Sequence, residues 1–187
     1  MMMPVNVLLR SAAALALCGL GAAMARPVPD ALRALLDGSD GGILGEVVEK
    51  EVRAFAAPDG GEIFFTTVRV SGTDLATGAE ETVLVTFSGG FISETRGAHS
   101  STAPPADATR VGRRVLMFHR HVKEIAAGFS GDVLVSGTGG LFQWFTSRKG
   151  EVIVQGGGPG SGIERNLRVT DLRADVRRRL EREEEGR

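Results

Sequence analysis

Residues 62–70 read EIFFTTVRV and residues 82–87 read TVLVTF, and these two stretches decide the fold class. Both are rich in β-branched and aromatic side chains, which favour extended strands. In the second stretch Val83, Val85 and Phe87 share one face, the two-residue period of a strand that buries one side. The sequence therefore predicts neighbouring antiparallel strands joined by turns.

Alternation of the same kind extends outward in both directions. Upstream, residues 43–55 place Leu44, Val48 and Val52 on one face, and the Pro-Asp-Gly-Gly of residues 58–61 predicts a turn. Downstream, further apolar runs separated by glycines occupy residues 114–122, 132–136, 141–145 and 151–154. We predict a mainly β domain over residues 42–155, a small antiparallel β-barrel or sandwich of about seven strands.

Helical patterns flank this domain. Residues 26–41 predict a short N-terminal helix, with Asp30 as its cap, and a turn after it. Residues 156–169 predict a glycine-rich flexible linker and a short extended segment. Residues 170–187 predict an amphipathic C-terminal helix, in which Leu172, Val176 and Leu180 form one apolar stripe and arginines and glutamates share the rest.

The first 25 residues have the pattern of a secretory signal peptide. Arg10 precedes a short apolar run, and Ala23 and Ala25 supply the small residues that cleavage after position 25 requires. The alternative is an uncleaved N-terminal anchor, but the apolar run is too short for a permanent membrane span. We expect a periplasmic or secreted protein.

Charge and cysteine content limit the possible functions. Cys18 is the single cysteine and lies in the predicted leader, so the mature chain is expected to lack disulfides, thiolate catalysis and cysteine metal sites. The full chain has a formal charge of −1, and loss of Arg10 with the leader makes it −2. Nothing in that balance predicts binding to nucleic acid.

Three histidines give the most specific indication of a metal-binding or catalytic role. His119 and His121 are two residues apart on a predicted strand, so both imidazoles project from one face and could begin a metal site. A third ligand would have to come from elsewhere, and His99 is the only other histidine. The alternative is that His119 and His121 end an edge strand beside solvent.

Aromatic residues give a second hint. Trp144 and Phe142 could form a stacking surface for a ligand, although packing in the core and at its rim is the simpler interpretation. The glycine run at residues 156–162 has neither the spacing nor the following lysine of a phosphate-binding loop. No cofactor is predicted.

Four segments carry a resemblance to a known group of proteins. They are residues 43–47 (ILGEV), 66–70 (TTVRV), 83–90 (VLVTFSGG) and 111–118 (VGRRVLMF). Together they resemble uncharacterised exported bacterial proteins with a small OB-like β-barrel domain, over roughly residues 42 to 154. The resemblance implies the architecture, but it brings no assigned catalytic residues.

Two functions follow as expectations. The first is a non-catalytic binding or interaction module, in which the barrel presents Trp144, Phe142, His119 and His121 to an envelope or extracellular protein or polymer. The second is a metal-dependent hydrolase or metalloprotein that uses His99, His119 and His121. The sequence favours the first, because no constellation supplies a nucleophile, a base and an orienting group together.

Overall fold

The computed structural model describes residues 29–185, and the side chains of residues 29–182. The predicted signal peptide, with Ala23, Ala25 and Cys18, lies outside the described residues. Two α-helices, ten strands and two short 3-10 turns make up the described part. The helices are α1 (Asp30–Asp37) and α2 (Val169–Glu185), and the 3-10 turns cover Ala106–Thr109 and Gly137–Gly140.

The ten strands are unequal in length. They are β1 (Gly41–Ala56), β2 (Glu62–Asp74), β3 (Glu80–Ser88), β4 (Gly90–Ser93), β5 (Arg96–Ala98), β6 (Arg114–Ala126), β7 (Phe129–Leu134), β8 (Leu141–Thr146), β9 (Val152–Val154) and β10 (Leu167–Arg168). Seven of them overlap the strands predicted within residues 42–155, and β10 falls in the short extended segment predicted within residues 156–169; β4 and β5 have no counterpart in the prediction. The expectation of a mainly β domain is confirmed.

Five strands close a barrel in the order β1, β2, β3, β7, β6 and back to β1. Every pair around the barrel is antiparallel except β3 with β7, which run parallel. The prediction of a wholly antiparallel sheet is therefore wrong at this one pair, because sequence periodicity shows which residues are extended but not which strands close the ring. β8, β9 and β10 extend the sheet beyond β6.

A bend in β1 lets this strand serve two partners. Its beginning pairs with β6, from Gly41 opposite His119 to Glu46 opposite Arg114, while residues 43–56 pair with β2. The register slips between Val47 and Glu49, the signature of a β-bulge, which increases local bending and twist. Gly45 and Gly72 face each other across the ladder, and a Cβ at Gly72 would lie 2.2 Å from the Leu44 carbonyl oxygen.

The sheet buries apolar side chains on both faces. The barrel interior is filled from all five of its strands, for example by Ile43, Val68, Val85, Met117 and Leu134. A second core, the helix-covered core, lies on the outer face of β1, β6, β8 and β9 beneath α1 and α2. It contains Leu32, Leu35, Leu36, Leu44, Leu75, Leu116, Phe118, Val135, Phe142, Val154, Ile163, Val169, Leu172 and Val176.

The glycine-rich segment is folded, although its composition favours a flexible linker. The Ser161 hydroxyl donates to the carbonyl oxygens of Gly158 and Ile163, at 2.9 and 2.6 Å. The backbone N–H of Gly157 donates to the Ile163 carbonyl, and that of Gly156 to the Asn166 side chain. Ile163 is 3% exposed in the helix-covered core, so this segment packs as part of the fold.

Candidate functional site

An open groove of about 430 Å³ runs across the outer face of β1, β2, β3 and β7. The lining side chains come from β1, β2, β3 and β7 and, through His121, from the middle of β6. They are Glu49, Glu51, Arg53, Thr67, Arg69, Thr82, Val83, Leu84, Thr86, His121, Phe129, Ser130 and Asp132, with Gly131 completing the wall. We call this surface the groove.

Strand alternation explains why these residues share the groove. In β2, Val68 and Val70 point into the barrel and are fully buried, so Thr67 and Arg69 point outward. In β3, Val85 and Phe87 point inward, so Leu84 and Thr86 point outward. The solvent face of an alternating strand therefore becomes the floor of the groove.

Two ion pairs occupy the β1–β2 side of the groove. Arg69 Nε lies 2.6 Å from Glu49 Oε2, and Arg53 Nη2 lies 2.7 Å from Glu51 Oε2. The hydrogen bond from Arg53 holds the pKa of Glu51 below its usual value. Each arginine is thus already matched with a carboxylate, and this side of the groove has no net charge.

An aromatic cluster stands at one wall of the groove. The rings of Phe55 and Phe129 stack with centroids 4.9 Å apart, and Phe65 meets Phe55 edge-to-face at 5.7 Å. On the floor, the hydroxyls of Thr67 and Thr86 are 2.9 Å apart, and Leu84 is 49% exposed. The groove therefore offers hydroxyls, apolar surface and a ring face side by side.

Two of the three predicted histidines lie on β6, around one carboxylate of β7. His121 Nδ1 is 3.1 Å from Asp132 Oδ1, and the backbone N–H of His121 donates to Asp40 Oδ2 at 2.7 Å. His119 Nδ1 is 3.7 Å from Asp132 Oδ2, beyond hydrogen-bond distance. Both ring nitrogens of His119 are buried and have no hydrogen-bond partner, so His119 is closed off from the groove.

His99 stands apart from this pair. It follows the β4–β5 hairpin, where its ring meets Phe91 edge-to-face with centroids 4.7 Å apart. Across the described part of the chain, no three histidine, cysteine, aspartate or glutamate side chains are grouped so that they could hold a metal ion. Among these residues the three histidines are therefore not brought together as one group.

Trp144 and Phe142 both make contacts within the fold. Phe142 is 4% exposed in the helix-covered core and meets Phe118 edge-to-face at 6.3 Å. Trp144 Nε1 donates to the Gly45 carbonyl at 3.0 Å, and the guanidinium of Arg114 lies 5.1 Å from the indole centroid. With one edge bonded to β1 and a cation near its ring, Trp144 ties β8 to the barrel.

Sequence reasoning missed the groove because its residues look like an ordinary solvent face. The charges at Glu49, Glu51 and Arg53 fit the polar side of an amphipathic strand, and Leu84 and Phe129 are isolated apolar residues. The available signal was the break in alternation at Leu84, where an apolar residue stands on the polar face of β3. Comparison with known proteins adds nothing to the site: no family model, curated protein or solved structure matches this chain.

Proposed function

We propose that this chain is an exported, non-catalytic binding module that holds its ligand in the groove. The groove itself carries the proposal, because it is a concave surface with hydroxyls, exposed apolar side chains and an aromatic wall on a closed barrel. The ligand is an envelope or extracellular protein or polymer, in keeping with a periplasmic or secreted location. Export is proposed from the leader-like residues 1–25.

The strand order supports an OB-like barrel. Counted along the chain, the five barrel strands pair first with second, second with third, third with fifth, fifth with fourth and fourth with first. A five-stranded Greek-key barrel of this kind uses the face of its second and third strands and the adjacent loops for binding. The groove lies over β2 and β3, and Phe129 directly follows the turn between β6 and β7. Within residues 29–185 no helix has the length and apolar character needed to cross a membrane.

Site-specific photocrosslinking in living cells tests the binding role. A photoreactive amino acid replaces Leu84 in the groove, and in a matched control it replaces Val111, which is 55% exposed and does not line the groove. We expect a discrete covalent adduct from position 84 and none from position 111. Equal adducts from both positions, or none from position 84, would contradict the proposal.

Export needs a separate measurement. Expression of the full chain and cell fractionation should give a periplasmic or secreted product whose mass corresponds to a chain beginning at Arg26. A product that keeps its first 25 residues and stays in the cytosol would disprove export without affecting the crosslinking result.

A further inference from the structure

The parallel pairing of β3 with β7, which closes the barrel, is only two residue pairs long. β3 and β7 pair only through Val85 with Asp132 and Thr86 with Val133. Before these two pairs the strands diverge, although β3 begins at Glu80 and β7 at Phe129. In the described chain, residues 80–84 pair with β2 on one side and with no strand on the other. The same holds for residues 129–131 of β7, which pair only with β6.

This divergence forms one end of the groove. Thr82, Val83 and Leu84 line it from β3, and residues 129–131 line it from β7. An unpaired strand edge presents alternating backbone N–H and C=O groups, which an additional extended chain can satisfy. Adjacent strands are about 4.8 Å apart, so a chain that pairs with β3 here would lie within the groove.

The charge at this end of the groove is acidic. With Arg53 and Arg69 already paired to glutamates, the remaining acidic side chain that lines the groove is Asp132, whose Oδ1 lies 3.1 Å from His121 Nδ1. Glu81 lies beside the groove on the free edge of β3, on the opposite face of this strand from Leu84, and is close enough to Asp132 for the two carboxylates to repel each other. Burial raises the pKa of Glu81, and the nearby carboxylates of Asp74 and Asp132 raise it further, while His119 opposes them. Among the described side chains, no lysine or arginine forms an ion pair with Glu81. The free edge of β3 beside the groove therefore has negative charge that a cation from outside would neutralise.

We propose that the ligand is an extended, lysine- or arginine-bearing segment of another polypeptide, which adds as a strand to the free edge of β3 at residues 80–84. The inference rests on the proposed function and specifies the ligand of the same groove. Backbone pairing with β3 supplies affinity, and one face of the added strand lies over Leu84 and the Phe129 ring. A basic side chain on the other face of the added strand reaches Glu81, because Glu81 and Leu84 lie on opposite faces of β3. The acidic charge argues against a nucleic acid, whose phosphates it would repel.

Amide NMR on the mature protein tests this ligand class with defined probes. The first probe is a peptide of about eight residues alternating threonine and lysine, long enough to span the free edge at about 3.3 Å per residue. The second alternates threonine and glutamate. The third is the lysine peptide with N-methylated backbone amides, which keeps the charge but cannot form the ladder. A neutral oligosaccharide and a single-stranded oligonucleotide complete the set.

We expect the lysine peptide to shift the amide signals of residues 80–84 and 129–131 and to slow hydrogen exchange within residues 80–84. The glutamate and N-methylated peptides should bind at least about tenfold more weakly, which corresponds to about 1.4 kcal/mol. L84K, which adds a positive charge that repels the lysine peptide at an exposed position, should weaken binding of this peptide by a similar factor. V111K, at an exposed position outside the groove, should leave binding unchanged.

The outcomes separate this inference from the proposed function. Binding of the oligosaccharide or oligonucleotide in the groove, without exchange protection in β3, would overturn the peptide inference and leave the binding module intact. Equal binding of the lysine and N-methylated peptides would overturn strand addition. If no probe shifts any groove signal and the Leu84 crosslink is also absent, both proposals fail.

Discussion

The two outer faces of this sheet differ in how they are covered. On the helix-covered core, α1, α2 and the folded glycine-rich segment bury an apolar surface, and Leu172 and Leu116 are fully buried. On the groove, no element within residues 29–185 covers the outer face of β2 and β3, and its apolar residues such as Leu84 stay half-exposed. The comparison teaches that stability is concentrated on one side of the barrel, so substitutions on the other side should cost little in folding.

Truncation of a leucine in α2 should reveal this asymmetry most strongly. L172A removes a fully buried side chain from the helix-covered core, and we expect a loss of about 3 kcal/mol in the free energy of unfolding. L180A is the matched control on the same helix, because Leu180 is 42% exposed. Urea denaturation of both variants makes the comparison. Equal losses would show that α2 does not dock as described.

The next largest effect should come from the close approach of β1 and β2. In G72A the added Cβ would lie 2.2 Å from the Leu44 carbonyl oxygen, a backbone atom that cannot move without shifting the ladder. We expect a loss of about 2 kcal/mol, measured as a lower urea midpoint. G139A serves as the control, since its Cβ would meet only the Ser136 Cβ at 3.4 Å. A neutral G72A would contradict the tight register of Gly45 opposite Gly72.

A smaller effect is expected where β8 joins the barrel. W144F keeps an aromatic ring but removes the hydrogen bond from Nε1 to the Gly45 carbonyl. The loss should be about 1 kcal/mol, because the carbonyl is left without this donor. Thermal or urea unfolding measures it, and F145L, at a 43% exposed position on the same strand, should stay close to the parent protein. If W144F were as stable as the parent protein, the hydrogen bond of the indole would contribute nothing to stability.

The free edge of β3 beside the groove should respond least, and with a dependence on pH. Because the pKa of Glu81 is raised, the folded state binds this proton more tightly than the unfolded state. The free energy of unfolding therefore falls as pH rises from about 4.3, the ordinary carboxyl value, through the raised one. E81Q removes the free-energy cost of ionising Glu81 in the folded state, so it should stabilise the protein slightly near neutral pH.

The same variant supplies its own check at low pH. Below both pKa values Glu81 is protonated in either state, so E81Q should match the parent protein there. E80Q is the control, since Glu80 lies on the opposite face of β3. Urea titrations at the two pH values would contradict the assignment if E80Q and E81Q behaved alike.

The sequence predicted the strands better than their arrangement. Alternation in residues 62–70 and 82–87 follows directly from one buried face, so β2 and β3 could be predicted from the sequence. The parallel pairing of β3 with β7 was not, because it joins residues far apart along the chain. The β4–β5 hairpin was missed because a composition of glycine, serine and threonine favours an irregular loop. In the structure, Gly97 packs tightly against the Gly90 carbonyl.

Similar reasons apply to the candidate site. The pairing of His121 with Asp132 depends on the β6–β7 register, which the spacing of His119 and His121 alone does not give. The arginines of α2 were expected to be solvated, yet Arg173 donates to the Thr73 hydroxyl and Arg177 to the Ala76 carbonyl. Charge pattern predicts an exposed helix face, but it does not show which neighbouring oxygen atoms the face meets.

The double pairing of β1 has a consequence for the order of folding. Residues 41–46 find β6 only after residues 114–119 have emerged, so ring closure depends on contacts between distant parts of the chain. The hairpins of β1, β2 and β3 are local and can form early. Until closure, one edge of residues 41–46 has no partner strand, so pairing with a second copy of the chain competes with closure of the barrel during that interval.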